Sequence, residues 1–216
     1  MDIPASEKEQ LDALRKWWKE NGSSIITGLL LGGAILLGGK AWFSYRETQA
    51  LSASNIYAQM MMAANSGDAG AARKQASELI TNYTGSNYAS LASLLLAKLA
   101  VKENEFAAAQ AQLQWALDHA ESMEIKHTAR MRLVRMMIEQ QQYESAAQLL
   151  GTVTDPGAYH YLYTELEGDL AMAQNEPALA ASAYKKALDQ MPAQAPNQAY
   201  LTAKYENVSG AVDPGQ

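Results

Sequence analysis

Three histidines and one short acidic run are the side chains of this sequence best suited to chemistry. His119, His127 and His160 carry the imidazole that serves most often as general base or metal ligand near neutral pH. A helical metal site needs two ligands about one turn apart on a shared face. Each histidine here stands alone in a separate predicted helix or at its end, which points to surface or partly packed side chains. Glu165, Glu167 and Asp169 form an acidic run. Alternate residues of a helix do not share one face, so paired carboxylates for acid–base work are not expected. The chain has no cysteine and therefore no thiol nucleophile. It also lacks the G-x-S-x-G and phosphate-loop patterns that would place a hydroxyl or a phosphate at a helix start. No catalytic residue, no metal ligand and no cofactor are expected.

Cations and methionines offer binding rather than chemistry. Lys126, Arg130, Arg132 and Arg135 gather in the helix predicted over Glu124 to Gln142. Arg132 and Arg135, with Glu139, make one polar flank, and Lys126 and Arg130 make another. Two readings stand: a solvated face, or a groove that clamps acidic or carboxylate groups. The chain holds ten methionines, among them Met60, Met61, Met62, Met131, Met136 and Met137. They serve either as core or as a soft apolar surface that adapts to varied segments.

These residues need elements to hold them, and the stretch Asn21 to Gly39 decides where those elements lie. Its nineteen residues carry no charge and give roughly 28 Å of helix, close to the ~30 Å hydrocarbon core of a bilayer. Trp17 and Trp18 precede it, and Lys40, Trp42, Phe43 and Tyr45 follow, placing rings and a cation at both expected interfaces. A buried core helix would keep a polar stripe, which this stretch lacks. A cleaved signal peptide would have a short basic leader, whereas this leader is long and rich in acids, and Lys40 interrupts the only candidate cleavage site. The expectation is an uncleaved anchor. Within it Ser24, Gly28 and Gly32 recur every fourth residue, a small-residue face on which another membrane helix, or a second copy, could approach closely.

Lys8, Arg15, Lys16 and Lys19 lie ahead of the span, and only Lys40 and Arg46 follow it closely. That bias keeps the N-terminus in the cytoplasm and sends the remainder across. In a bacterium the far side is the periplasm, so a single-pass type II inner-membrane protein is expected. Residues 1–20 read as an amphipathic cytoplasmic leader: Met1 to Pro4 loose, a capping box at Ser6 and Glu9, and a stop at Asn21-Gly22. Residues 21–43 form the anchor, 44–207 a periplasmic domain and 208–216 a disordered tail. Residues 48 to 216 hold eleven Lys and Arg against seventeen Asp and Glu, the whole formal charge of −6. An acidic surface excludes nucleic acid as a partner and disfavours adhesion to anionic lipid.

Alanine, leucine, glutamine and methionine dominate this domain, and strand-punctuating Pro-Gly pairs are rare, so it should be all helix. Phe106, Ala109 and Leu113 have counterparts at Tyr143, Ala146 and Leu150, thirty-seven residues on. The last unit is clearest: Gly168, Ala180, Tyr184, Ala187 and Pro192. Small Ala180 and Ala187 would let paired helices approach, Tyr184 would fill the gap between units, and Pro192 would end the second helix. These are tetratricopeptide spacings. The fold class is thus all-α: one N-terminal transmembrane helix, then a tetratricopeptide-repeat-like α-solenoid of helical hairpins.

An ENG tripeptide ahead of a glycine-rich span, an aromatic cluster behind it, then NYASLASLLLAK from Asn87 and NEFAAAQAQLQWAL to Leu117 together resemble the YfgM-type ancillary subunits of the SecYEG translocon. The resemblance covers nearly the whole chain and is weakest over its last twenty or so residues. It implies a non-enzymatic accessory protein whose periplasmic repeats work beside the translocon. It further implies association with a PpiD-like periplasmic chaperone, help in passing exported polypeptides to periplasmic chaperones, and a link to the Rcs response regulator. A generic repeat scaffold for another envelope complex, in cell division or respiratory assembly, is the alternative. In either case the lipid bilayer is met through one helix.

Overall fold

A computed structural model describes residues 5–212, with the side chains of residues 7–210. Among the described residues there are nine α-helices, one 3-10 turn at Gly157–Tyr159 and no strand. In chain order the helices are α1 (Ala5–Asn65), α2 (Ala69–Asn82), α3 (Asn87–Lys102), α4 (Phe106–His119), α5 (Met123–Glu139), α6 (Tyr143–Gly151), α7 (His160–Ala173), α8 (Pro177–Gln190) and α9 (Gln198–Val212). The chain divides into two compact units between Ser52 and Ala53.

The first unit is helix α1 up to Ser52, long and apolar enough to cross a membrane. From Leu29 to Leu37 its large aliphatic side chains are between 60% and 75% exposed. The helix does not stop at Asn21-Gly22. Asn21 Nδ2 donates to the Trp17 carbonyl at 3.0 Å, and the Trp18 ring lies over Gly22, where an added Cβ would meet it at 3.1 Å. Asn21 and Gly22, ordinary stop signals, are thus absorbed by the turn before them. The described part of the helix already includes Ala5, ahead of the expected cap Ser6, whose side chain lies outside the described residues, as does the loose segment expected at Met1 to Pro4.

The second unit is a stack of four hairpins. Each hairpin turns on one residue in the left-handed region: Gly67 (φ 82°), Asn104 (62°), Gln141 (58°) and Asn175 (62°). These positions are spaced by 37, 37 and 34 residues. After each, the next N–H reaches back to a carbonyl of the last helical turn: Asp68 to Ala63 at 2.9 Å, and Glu105 to Ala100, Gln142 to Met137 and Glu176 to Ala171 at 2.8 Å. This is the Schellman closure, which satisfies carbonyls that a helix end would otherwise orphan. The hairpins pair the end of α1 with α2, α3 with α4, α5 with α6 and α7 with α8.

At the same register of every second helix stands a fully buried alanine: Ala72, Ala109, Ala146 and Ala180. Across from them the helix pairs trade volume. In register order, Met60 accompanies Ala76, Ala97 accompanies Leu113, and Val134 accompanies Leu150. At the last step Gly168 accompanies Tyr184, and a Cβ on the glycine would stand 2.5 Å from the tyrosine Cε1. Close packing at similar volume explains the exchange at three of the pairs; Val134 with Leu150 is larger, and Leu150 is only partly buried. Four apolar clusters follow one another along the stack. Met60, Met131 and Met136 lie in them, while Met62 is exposed. Of the two readings of these methionines, core holds for Met60, Met131 and Met136.

The expected tail is corrected at its start. α9 runs to Val212, and Leu201 and Val208, seven residues apart on one face, are buried against the last hairpin. The final apolar face of a stack needs such a lid. Residues 213–216 lie outside the described residues.

Candidate functional site

The first helices of successive hairpins, α3, α5 and α7, carry a charged residue at one shared register: Lys98, Arg135 and Asp169. Beside them lie two cavities. One, of about 490 Å³, opens between α3 and α5; Leu94, Ala97, Val101, Phe106, Leu113 and Met136 supply its apolar walls. Lys98, Arg132, Arg135 and Glu139 stand among its lining, and all four are exposed. The other, of about 540 Å³, lies among α5, α7, α8 and α9 and is lined by Arg135, Glu139, Glu165, Asp169, Tyr184, Asn197, Tyr200 and Lys204, with Ile138, Met172 and Ala173. Arg135 and Glu139 border both, so the two cavities adjoin across α5 as one trough.

The far end of the trough holds a charge network. Glu165 and Asp169 are four residues apart and share a face, and Lys204 of α9 bridges them: Nζ donates to Glu165 Oε1 at 2.7 Å and to Asp169 Oδ1 and Oδ2 at 2.7 and 2.9 Å. Tyr184 Oη donates to Asp169 Oδ1 at 2.9 Å and Asn197 Nδ2 to Glu165 Oε2 at 3.2 Å. Burial works to lower the Lys204 pKa, but the hydrogen bonds and charges of Asp169 and Glu165 outweigh it and raise it. Burial first, then the charge of Asp169, pushes the Tyr184 phenol far above its ordinary range. Both groups hold their protons at neutral pH. Glu165 and Asp169 are therefore a structural clasp, with Glu167 exposed outside it. Sequence reasoning passed over it by comparing alternate residues, when the i, i+4 pair within the run was the signal.

The histidines are placed apart. His119 stacks on Trp115 at 4.3 Å between ring centres and contacts its carbonyl at 2.9 Å. His160 is exposed at the start of α7. His127 is fully packed: its ring stacks on Tyr159 at 4.6 Å, and its Nδ1 lies 2.7 Å from Tyr163 Oη. Burial, then the positive charge of Arg130, lowers the His127 pKa, while Asp155 and Glu124 work the other way. Among the described residues no three His, Cys, Asp or Glu gather as a metal site.

Of the four cations expected in a groove, Arg132 and Arg135 line the trough. Arg130 lies on the side of α5 toward His127 and Tyr163, and Lys126 lines neither cavity. Gly168, Ala180, Tyr184 and Ala187 meet inside the last hairpin. Pro192 follows α8 directly, with Met191 before it already extended at ψ 149°, as the clash with a proline ring requires. In the first unit, Ser24, Gly28 and Gly32 face open space, with no atom within 4 Å of a Cβ built on either glycine. Trp17, Trp18, Lys40 and Trp42 are exposed, and Trp42 leans on Tyr45 at 6.4 Å.

Comparison with known proteins adds a lineage to this geometry. Residues 15–210 match the family model described as a tetratricopeptide repeat-like domain. The chain is similar to the ancillary SecYEG translocon subunit of Escherichia coli (strain K12), 30% identical over 188 residues that cover 86% of this chain and 88% of that protein. It is likewise similar to the ancillary SecYEG translocon subunits of Haemophilus influenzae, 25% identical over 187 residues with 87% and 91% covered, and Neisseria gonorrhoeae, 25% identical over 203 residues with 94% and 97% covered.

Proposed function

Since this chain belongs to the tetratricopeptide repeat-like family, and within it to the non-catalytic ancillary SecYEG translocon subunits, we propose that it is an accessory subunit of a SecYEG translocon, held in the membrane by α1. The repeat stack presents the trough to other polypeptides. The observation that carries this reading is the joining of an exposed apolar helix to hairpins whose first helices border an open, partly apolar trough. An enclosed site would bury most of a small ligand; a trough open along its length suits a chain that passes through.

The finer reading is a type II protein of the bacterial inner membrane with the repeats in the periplasm. The four cations ahead of the span against two behind support it. There the stack meets exported polypeptides, associates with a PpiD-like chaperone and helps pass them to periplasmic chaperones, and the protein modulates the Rcs stress response through its response regulator. Ser24, Gly28 and Gly32 give the span a face for a neighbouring membrane helix.

Purification of the full chain in mild detergent, followed by identification of its companions, tests the role. Translocon subunits are expected. Cell-division or respiratory subunits without a translocon would replace the proposal with the generic scaffold. Protease added to spheroplasts should digest the repeats and spare the leader; a protected repeat domain would reverse the topology.

A further inference from the structure

We infer that the cavity between α3 and α5 takes a polypeptide segment whose apolar side chains are bordered by carboxylates. The inference rests on the trough being a polypeptide-binding surface, as proposed above, and names the chemistry that it selects.

Shape and lining come first. The volume of about 490 Å³ lies within the roughly 300–1,000 Å³ of ordinary ligand sites. The floor is aliphatic and aromatic, with Val101 42% exposed, so part of it meets water until something covers it. Water leaving such a floor is the general source of affinity in grooves of this kind.

Charge gives the selection. The domain carries seventeen acids to eleven bases, yet the lining of this cavity has three cations, Lys98, Arg132 and Arg135, against the single anion Glu139. Among the described residues none of the three cations is in an ion pair. The last hairpin shows what the same register does when it is satisfied internally. Asp169, equivalent to Arg135 and Lys98, receives Lys204 from α9. For Lys98 and Arg135 no described residue supplies such a partner, which leaves them open to complementary charge from outside. Guanidinium groups favour carboxylates because two parallel N–H donors fit two oxygens. An anionic membrane surface would offer similar chemistry, but the net charge of the domain repels it.

The test uses the full chain in discs of neutral lipid and two fluorescent peptides. One has two leucines and a phenylalanine flanked by glutamates; the other replaces the glutamates with lysines. Fluorescence anisotropy should show the acidic peptide binding about tenfold or more tightly than the basic one. Arg132→Glu with Arg135→Glu should reverse that preference. Val101→Asp should abolish binding of both, and circular dichroism should show all variants as helical as the parent. Equal affinity for the two peptides, or binding indifferent to Val101→Asp, would overturn the inference. So would binding of anionic vesicles, weakened by the arginine reversals, while neither peptide binds. Should both peptides fail while detergent extracts still yield translocon subunits, the accessory role stands and the selectivity is lost. Should the peptides bind as expected without any translocon, the trough stands and the role falls.

Discussion

The middle and the C-terminal end of the repeat stack share one register and resolve it in opposite ways. In the middle, Lys98 and Arg135 point their charge at solvent beside an apolar floor. At the end, Asp169 is joined to Glu165, Lys204 and Tyr184 in a closed network. A stack of repeats has an open side for binding and an end that must be sealed, and here the seal is ionic as well as apolar. The sharpest way to break this contrast is Lys204→Met. It would leave Glu165, 3% exposed, and Asp169 without their cation, and losing one partner of such a buried group costs about 3–5 kcal/mol. Neighbour-only coupling keeps the damage local. Hydrogen exchange should therefore accelerate first in α9 and α7, with α3 and α4 unchanged; uniform acceleration, or none, would deny that Lys204 is the clasp.

Gly168→Ala comes next in size. The new methyl would stand 2.5 Å from Tyr184 Cε1, and the ring is 3% exposed and held by Asp169, so it cannot swing aside. Overpacking of this kind costs about 1–3 kcal/mol. The middle of the stack indicates the remedy: its equivalent pair is Ala97 with Leu113. Gly168→Ala combined with Tyr184→Leu should cost less than the two changes added separately, a coupling that thermal melts of the four proteins in a double-mutant cycle would measure. Strict additivity would mean that the glycine and the tyrosine do not share one space.

The same contrast explains what the sequence revealed and what it hid. Hairpins with Ala180, Tyr184 and Ala187 announced themselves because small and aromatic residues fall at repeat spacing. In the first hairpin the helical pattern running on from the span over Glu47 to Asn65, the turn at Ser66 to Gly70 and the second helix over Ala71 to Tyr83 were all legible; only its kinship with the later repeats was hidden, because Met60 and Ala76 invert the sizes found at Gly168 and Tyr184. Chain continuity through Asn21-Gly22 was hidden for a related reason: stop signals are local, and the Trp18 ring over Gly22 is a packing event. The end of α9, from Val208 on, was hidden because Gly210, Pro214 and Gly215 near the terminus read as tail, although Leu201 and Val208 lie on one helical face. The basic cluster on α5 was visible as a cluster, but only packing separates Arg132 and Arg135, on the trough, from Arg130, beside His127.

His127 gives a smaller and pH-dependent effect at the joint between the middle and the end. Its imidazole is neutral when folded, with a pKa below its ordinary 6.5 because burial and the Arg130 charge disfavour the cation, against the weaker pull of Asp155 and Glu124. Between the lowered folded value and 6.5, the unfolded chain binds a proton that the folded chain does not, so stability rises with pH there. The contribution is complete above 6.5 and is lost as pH falls below it. His127→Gln keeps a hydrogen-bond partner for Tyr163 and cannot titrate, so melting temperatures of the two proteins should converge or cross as pH drops from 7.5 to 5. A constant difference across that range would mean that His127 does not take up a proton there.

The smallest expected change is also the one that separates binding from building. Arg132 and Arg135 are exposed and take part in no ion pair among the described residues, so no described partner depends on their charge. Substitutions at such sites usually fall within about 0.5 kcal/mol. Arg132→Ala with Arg135→Ala should leave the melting temperature unchanged within that margin, whereas Lys204→Met, at the neighbouring end of the same trough, lowers it clearly. If the arginine pair proved as costly as Lys204, the middle of the stack would be holding itself together with those charges, and they would not be free to receive a partner's carboxylates.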